Sequence, residues 1–361
     1  MPEKRQFRAI KGTRDILAPD SALWNWFELS AREVFESYNF REIRLPIFEQ
    51  TDLFARSVGT DTDIVSKEMF TFRLPDGSER SATEDAAVSQ SGEQVSLRPE
   101  ATASTMRAYI EHNLQALPGN VKLYCIGPMF RRERPQKGRY RQFYQVNAEI
   151  LGQSDAPAID AELLEMLLVF FKRVGLTRTT LYVNSIGDKN CRAQYVELLR
   201  QELLKVRDQL GPDSQRRIET NPLRVLDSKL PNEQEIIAKL PRISDHLCAD
   251  CRDHFAKLKD ELRLRGIAYE ENWRLVRGLD YYTRTTFEVI AEGLGSQNAV
   301  CGGGRYDGLV ELLGGPPTNE CFRRPGTTWC GSRVGSVPWL LELMRIAMIP
   351  ASYASWLVPK A

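Results

Sequence analysis

The stretch that decides the fold is residues 129–152, MFRRERPQKGRYRQFYQVNAEILG. Its second half alternates in character with a period of two, which predicts a β-strand with two different faces. One face is apolar and is predicted to lie in the core: Tyr144, Val146, Ala148 and Ile150. The other face is largely polar: Phe143, Gln145, Asn147 and Glu149. Because a half-buried strand has little need for two amides and a carboxylate, this second face is a candidate binding surface.

The loop before this strand is strongly basic. It carries one carboxylate, Glu133, against six cations: Arg131, Arg132, Arg134, Lys137, Arg139 and Arg141. A guanidinium group matches the oxygens of a phosphate through two parallel hydrogen bonds. With Phe143 as a stacking surface, the loop is a candidate site for a nucleoside triphosphate. The alternative is a solvated hairpin whose cations pair with acidic residues elsewhere.

A second candidate lies at a strand-to-helix junction in residues 97–102. Glu100 is suited to receive a substrate ammonium group, with Thr102 as a further hydrogen-bonding partner. The alternative is simpler, since acidic residues are common in the first turn of a helix.

Two more candidate binding segments follow, at residues 277–282 and 302–308. Tyr281 and Tyr282 stand beside Arg277 and suit a pocket for a small polar ligand, although tyrosines in strands are often core residues. Residues 302–308, GGGRYDG, allow the backbone to approach a ligand closely. They lack the Gly-Lys-Ser/Thr ending of a P-loop, so spacing alone is weak support for a phosphate site.

The strands are separated by hairpin-length loops, which favours a largely antiparallel sheet over a Rossmann-type fold. Residues 188–259 differ from the rest, because they are charged, rich in helix-forming residues and punctuated by prolines. This change of composition predicts an inserted helical domain.

Composition sets outer limits. The 361 residues carry 49 Lys+Arg and 48 Asp+Glu, which excludes a disordered chain or a polybasic tail and allows two or three domains. No apolar run is long enough to cross a membrane, and the charged N-terminus has no signal-peptide pattern. The seven cysteines are scattered. We therefore expect a cytoplasmic protein with reduced thiols.

We predict no metal site from the sequence. Four possible ligands, His246, Cys248, Cys251 and His254, lie within one short stretch, whereas zinc sites usually draw ligand pairs from two separated segments. The only other histidine is His112, so the sequence offers few candidates for a histidine general base.

Taken together, these segments resemble the histidyl-tRNA synthetases, a family of class II aminoacyl-tRNA synthetases. The resemblance runs from Lys11 to about Thr318. Its most specific parts are class II motif 2 in residues 129–149 and the signatures RGLDYY at 277–282 and GGRYDG at 303–308. Residues 40–59 resemble motif 1, the dimerisation element.

The resemblance implies an α+β class II catalytic fold, with an antiparallel six-stranded sheet flanked by helices and a helical insertion domain. It also implies a homodimer that uses ATP with Mg²⁺. The histidine carboxylate would attack the α-phosphate, and the 3′ ribose of tRNA(His) would then take the acyl group. Such in-line displacement needs positioned charge more than acid–base groups, which fits a site rich in Arg and poor in His.

The resemblance further implies a role for each matching residue. Arg131 would hold the α-phosphate, Glu133 the adenine amino group, and Phe143 would stack on adenine. Toward the triphosphate lie Arg139 and Tyr140. The histidine ammonium group would be held by Glu100 and Thr102, its carboxylate by Gln145 and Arg277, and its ring nitrogens by Glu149 and Tyr282. Tyr281 and Tyr306 would complete this pocket, and Arg277 and Arg131 would be the catalytic cations.

The resemblance gives a division into four parts. Residues 1–187 and 260–318 would form the catalytic core, and residues 188–259 the insertion. Residues 319–361 read as an atypical tail in place of motif 3, with no anticodon-binding domain after them. Equal spacing puts Trp329 where the family has the motif 3 arginine, with Arg333 nearby.

Two functions remain open at this point. The first is histidine–tRNA ligase activity, favoured by the complete motif 2, because a regulator has no need to bind adenine. The second is a non-catalytic relative, such as the regulatory subunit of ATP phosphoribosyltransferase, favoured by the unrecognisable motif 3.

Overall fold

The computed structural model describes residues 7–59, 62, 64–74, 92–135, 140–152, 154–276, 281–292, 298–316 and 328–334. The strands are β1 (Arg41–Glu42), β2 (Phe48–Gln50), β3 (Thr71–Arg73), β4 (Gln94–Leu97), β5 (Val121–Phe130), β6 (Gln142–Gly152), β7 (Thr179–Ser185), β8 (Glu270–Glu271), β9 (Thr283–Ala291), β10 (Ala299–Arg305) and β11 (Thr328–Val334). The α-helices are α1 (Asp20–Ser37), α2 (Thr51–Val58), α3 (Thr102–Glu111), α4 (Pro157–Arg173), α5 (Lys189–Lys205), α6 (Pro212–Thr220), α7 (Gln234–Ala238), α8 (Ala249–Leu264) and α9 (Leu309–Leu312). Within these ranges, no helix has the length and apolar character required to cross a membrane.

The main sheet has the strand order β1-β5-β6-β11-β10-β9-β7-β8. In this order, the strands from β5 to β7 pair with one another in antiparallel fashion, which agrees with the largely antiparallel sheet that the sequence predicts. The prediction is incomplete at the edges, where β1 and β8 add two residues each in parallel pairing. A smaller antiparallel sheet has the order β2-β4-β3.

Strands β5 and β6 form the longest described hairpin, in register from Val121 opposite Leu151 to Phe130 opposite Gln142. The sequence pattern predicts two strands here, at residues 121–126 and 129–133, but the structure has one continuous strand, β5. The predicted core face of β6 is confirmed for Val146, Ala148 and Ile150, which are buried in the main apolar cluster. Tyr144 is only partly buried and packs against that cluster.

The centre of the sheet contains a strand that the sequence does not predict. Strand β11 pairs with β6 from Thr328 opposite Gly152 to Val334 opposite Val146. On its other side it pairs with β10, from Cys301 opposite Val334 to Arg305 opposite Cys330. The described part of the atypical tail is thus a central strand, and it joins the hairpin that carries motif 2 to the strand that carries the glycine run.

Helices α1 and α4 cover the apolar face of this sheet. The aromatic rings of Phe27 and Phe35 pack edge-on against Phe170, with ring centroids 5.2 and 5.6 Å apart. Edge-to-face packing is the arrangement that the charge distribution of aromatic rings favours. These rings fix α1 and α4 against each other and hold the sheet from one side.

Helices α5 to α8 follow β7, as the composition of residues 188–259 predicts. Tyr195, Leu199 and Leu203 are buried along α5, in an apolar cluster shared with residues of the main sheet. The proposed boundary at residue 259 falls inside α8, which continues to Leu264. We therefore place the end of the helical insertion after α8; the division into domains otherwise stays a proposal.

A fully buried ion pair connects α4 to β10. The carboxylate of Asp160 accepts hydrogen bonds from the guanidinium group of Arg305, and both side chains have zero exposure. Thr285 on β9 donates to the same carboxylate at 2.7 Å. Nε2 of His254, on α8, lies 3.8 Å from it. One carboxylate therefore links two strands and two helices.

Removing the Asp160 carboxylate is expected to destabilise the protein strongly. An Asp160→Ala change removes the buried partner of Arg305 and leaves it the longer contact of 3.6 Å with the part-exposed Asp307, so the free energy of unfolding should fall by about 3–5 kcal/mol in denaturant unfolding. Glu33→Ala is the control, because Glu33 pairs with Arg173 on the surface and should matter by less than about 1 kcal/mol. Equal losses for the two variants would contradict this assignment.

Stability should also fall in mild acid because of His254. Burial lowers the pKa of this imidazole to about 4, so below about pH 6.5 the unfolded chain takes up a proton that the folded protein excludes. The free energy of unfolding should therefore fall by about 3 kcal/mol between pH 6.5 and 4. Unfolding curves of wild type and His254→Gln across this range isolate the effect, and parallel pH profiles would refute it.

Candidate active site

Glu149 lies at the centre of the candidate pocket. It is buried on β6, and its two carboxylate oxygens are held from different elements. Oε1 accepts a hydrogen bond of 2.9 Å from the hydroxyl of Thr102 at the start of α3, and Oε2 accepts one from the hydroxyl of Tyr306 after β10. Two positioned hydroxyl donors hold this carboxylate in one orientation.

Glu100 caps helix α3. Its carboxylate oxygens accept hydrogen bonds from the backbone N–H groups of Thr102 and Ala103, at 2.9 and 2.8 Å. This is the simpler of the two sequence-based alternatives, a carboxylate at a helix N-terminus. Each carboxylate oxygen has a second lone pair, so the proposed contact with a substrate ammonium group is compatible with this cap.

Three tyrosines form one buried aromatic cluster beside Glu149. The ring centroid of Tyr281 lies 4.7 Å from that of Tyr282 and 5.2 Å from that of Tyr306. The structure therefore brings the two tyrosines of the RGLDYY signature against the tyrosine of the GGRYDG signature. Gly304 makes this approach possible, because a Cβ there would lie 2.4 Å from the carbonyl oxygen of Thr285.

Two amide side chains on the polar face of β6 are buried beside Glu149: Gln145 is 5% exposed and Asn147 is 1% exposed. Oε1 of Gln145 and both polar atoms of Asn147 have no hydrogen-bond partner among the described residues. Buried polar atoms of this kind are costly unless a ligand or water satisfies them. They are the expected signature of a polar ligand pocket.

The arginine side of the pocket is formed by Arg131 and Glu133, beside Phe143 near the start of β6. The guanidinium carbon of Arg131 stands 5.2 Å from the centroid of the Phe143 ring. Nη1 of Arg131 lies 3.7 Å from a carboxylate oxygen of Glu133, and its Nε donates to the carbonyl of Pro99. The three motif 2 residues assigned to the α-phosphate and adenine are thus neighbours.

Arg98 is a residue that the sequence reasoning missed. Its guanidinium group is buried and donates to the carbonyls of Leu45, Pro46 and Pro128. Burial lowers the pKa of this group from its ordinary value, while the three acceptors compensate its charge. Arg98 therefore fastens motif 1 to motif 2. The only hint in the sequence was its position beside Pro99 and Glu100.

Some predicted site residues are not part of this geometry. Arg139 and Arg277 lie outside the described residues. Tyr140 is described, and the guanidinium carbon of Arg14 stands 5.2 Å from its ring centroid. The roles of Arg139, Tyr140 and Arg277 toward ATP and histidine stay predictions.

Within the described ranges, one group of at least three potential metal ligands occurs, and it lies away from this pocket. It consists of Asp188, Cys191, Cys248 and Cys251. The pocket itself is built from arginine, amide, hydroxyl and isolated carboxylate groups.

Comparison with known proteins agrees with this arrangement. The family model for histidyl-tRNA synthetase matches residues 12–319. The histidine–tRNA ligase of Koribacter versatilis is 56% identical over 86% of this chain and 69% of its own length. That of Solibacter usitatus is also 56% identical, over 85% of this chain and 70% of its own length.

A solved structure extends the likeness to three dimensions. Apo histidyl-tRNA synthetase from Staphylococcus aureus superposes with a TM-score of 0.72 at 34% identity, covering 96% of this chain and 76% of that protein. Sequence identity, family match and fold agree over most of the chain. The chain therefore belongs to the histidyl-tRNA synthetase family.

Proposed function

We propose that this protein is a histidine–tRNA ligase, which activates histidine with ATP and transfers it to tRNA(His). The observation that carries the proposal is the buried carboxylate of Glu149, held by the hydroxyls of Thr102 and Tyr306. Beside it, Oε1 of Gln145 and both polar atoms of Asn147 have no hydrogen-bond partner in the part of the chain that the structure describes. Relatives 49–56% identical to this chain carry the same activity in their names.

The pocket around Glu149 suits an imidazole ring. A neutral imidazole has one N–H donor and one acceptor nitrogen. Glu149 would accept from the ring N–H, while the hydroxyl of Tyr282 would meet the other nitrogen. A ligand that lacks the ring N–H would leave a buried carboxylate without that partner, which is the kind of penalty that produces strong selectivity.

The arginine side suits the activation step. In this step the histidine carboxylate attacks the α-phosphorus of ATP, an anhydride bond forms, and pyrophosphate leaves. Arg131 would balance the charge of the α-phosphate, with Phe143 and Glu133 on the adenine. Arg277 would bind the histidine carboxylate and stabilise the charge that develops at phosphorus. The 3′ ribose hydroxyl of the tRNA then attacks the histidyl carbonyl carbon and loses its proton, an ester bond forms, the anhydride bond breaks, and AMP leaves.

Magnesium enters this proposal only with the nucleotide. Mg²⁺ usually keeps several waters and is bound by one or two carboxylates together with substrate phosphates. We expect Mg²⁺ on the outer phosphates of ATP, where it would neutralise their charge.

The regulatory alternative has weaker support. A Bacillus halodurans protein described as an ATP phosphoribosyltransferase regulatory subunit/histidyl-tRNA synthetase is only 17% identical, with a TM-score of 0.59, so its structure speaks for the fold alone. The complete Arg131, Glu133 and Phe143 set is what a nucleotide-using enzyme needs. A ligase that charges tRNA would act in the cytoplasm, and we include that location in the proposal.

We also propose a homodimer, formed through the smaller sheet, whose strand β2 lies within motif 1. Ile47, Phe48 and Phe72 are 46%, 47% and 41% exposed, and the rings of the two phenylalanines are neighbours at 6.3 Å. A grouped set of exposed apolar side chains is typical of an interaction surface. Ile47 and Phe48 lie in residues 40–59, the segment that resembles the dimerisation element, which agrees with this role.

Histidine-dependent exchange of pyrophosphate into ATP tests the activity. Wild type should catalyse exchange. Glu149→Gln should raise the KM for histidine about 100-fold, because a charge-assisted hydrogen bond worth about 3 kcal/mol is lost. Glu162→Gln is the matched control, since Glu162 pairs with Lys122 away from the pocket and should leave exchange unchanged. Histidine binding by wild type without any exchange would overturn the enzyme proposal.

Sedimentation velocity tests the dimer. Phe48→Asp should convert the protein to monomers, because a charge placed in an apolar interface must be desolvated without a partner. Leu264→Asp is the control, since Leu264 is 81% exposed at the end of α8. A dimer that survives Phe48→Asp, or a monomeric wild type, would show that this surface is not the interface.

A further inference from the structure

Four potential metal ligands meet where the N-terminus of α5 lies beside the N-terminus of α8. The carboxylate of Asp188 and the sulfur atoms of Cys191, Cys248 and Cys251 all lie within 4.8 Å of one another. Oδ1 of Asp188 is 3.6 Å from the sulfur of Cys191 and 3.9 Å from that of Cys248. All three cysteines are free thiols.

The fold creates this group from two matching segments. Asp188 is the N-cap of α5 and accepts from the backbone N–H of Asn190 at 2.9 Å, while Cys191 lies in the first turn. Cys248 is the N-cap of α8, and Cys251 lies in its first turn. Each segment therefore supplies two ligands that are three residues apart in sequence. Both ligands lie at a helix N-terminus, where negative charge is favoured.

A glycine makes room for the first segment. Gly187 has φ +67°, a conformation that side chains rarely adopt, and a Cβ there would lie 2.7 Å from the sulfur of Cys191. The backbone N–H of Arg284 donates to the carbonyl of Gly187 at 2.7 Å. The turn that aims Asp188 and Cys191 at one point is thus built into the end of β7.

The distances and the donor atoms indicate the metal. Zinc–sulfur bonds of about 2.3 Å at tetrahedral angles place ligand atoms about 3.8 Å apart, close to the two distances from Asp188. Thiolates select zinc over Mg²⁺ or Ca²⁺, which prefer oxygen ligands. Four protein ligands from two separated segments are the pattern of a structural zinc site, in which no position remains for substrate.

We propose that Asp188, Cys191, Cys248 and Cys251 bind one zinc ion as a closed structural site. Each coordinating thiol gives up its proton to solvent when the metal binds. The sequence-based expectation of no metal site considered only the second segment together with two histidines. His254 instead lies near Asp160, and the ring of His246 packs 5.9 Å from that of Tyr195.

The site would fasten α5, the first helix of the insertion, to α8, its last helix. Asp188 and Cys248 stand 60 residues apart in sequence, so the metal would join distant parts of the chain, and its binding free energy would stabilise the folded state. Arg192, one residue after Cys191, donates to the backbone carbonyl of Tyr282. Zinc would thereby hold α5 and α8 against the segment that carries the histidine-pocket tyrosines.

Metal analysis of the full chain tests the proposal. Wild type purified under reducing conditions should contain one zinc ion per chain. Cys191→Ser and Cys248→Ser should each lower zinc affinity by more than about 100-fold, the upper end of what loss of an outer-shell partner costs. Cys125→Ser is the control, because Cys125 is also a buried free thiol but lies on β5. Wild type that binds no zinc, or cysteine variants that keep it, would overturn the proposal.

Asp188 needs its own variants, because it also caps α5. Asp188→Asn keeps an oxygen for the cap but loses the charge, so zinc affinity should fall. Asp188→Cys completes a four-cysteine site and should keep one zinc ion per chain. If Asp188→Asn binds zinc as tightly as wild type, Asp188 is only a helix cap and the four-ligand site is wrong.

A measurement on wild type alone covers the case in which variants fail to fold. Removal of zinc with a chelator should lower the melting temperature, and zinc should restore it where magnesium does not. Cobalt added to the stripped protein should give the thiolate charge-transfer and visible bands of a tetrahedral site. A melting temperature insensitive to zinc, or a disulfide among these cysteines in the reduced preparation, would refute the site.

Discussion

The buried ion pair between Asp160 and Arg305 is the constraint on which the rest of the structure depends. Each of these two buried charges needs the other as a partner, because removing one of them would leave the remaining charge poorly compensated and would strongly destabilise the fold. The pair fixes the first turn of α4 against the end of β10 in the sheet. Tyr306 follows Arg305 directly, so the same contact sets where the tyrosine meets Glu149.

The pocket therefore rests on connections that are not made by the ligand-binding residues themselves. Arg98 donates to the carbonyls of Leu45 and Pro46 in motif 1 and to that of Pro128, directly before motif 2. Thr285 adds β9 to the carboxylate that Arg305 holds. These contacts connect distant parts of the chain before a substrate binds, and such preorganisation suits the proposed positioning of charge at phosphorus.

Sequence reasoning succeeded where a pattern is local. The alternation along β6 was enough to separate the core residues from the polar face, because neighbouring side chains of a strand must point in opposite directions. It failed where the partners are distant. Nothing in the local pattern linked Asp188 and Cys191 to Cys248 and Cys251, and β11 lies in a segment that lacks the family's motif. Glu100 shows a third limit, since a helix cap and a ligand look alike in sequence.

The position of β11 has a consequence for synthesis of the protein. It lies between β6 and β10, yet it is the last described strand to leave the ribosome. Until it emerges, the main-chain groups along one edge of each of these strands have no β-sheet partner, and open edges of this kind invite pairing with other chains. The sheet can close only through contacts between distant parts of the chain, which form slowly. A nascent chain that stalls before β11 is therefore an aggregation hazard.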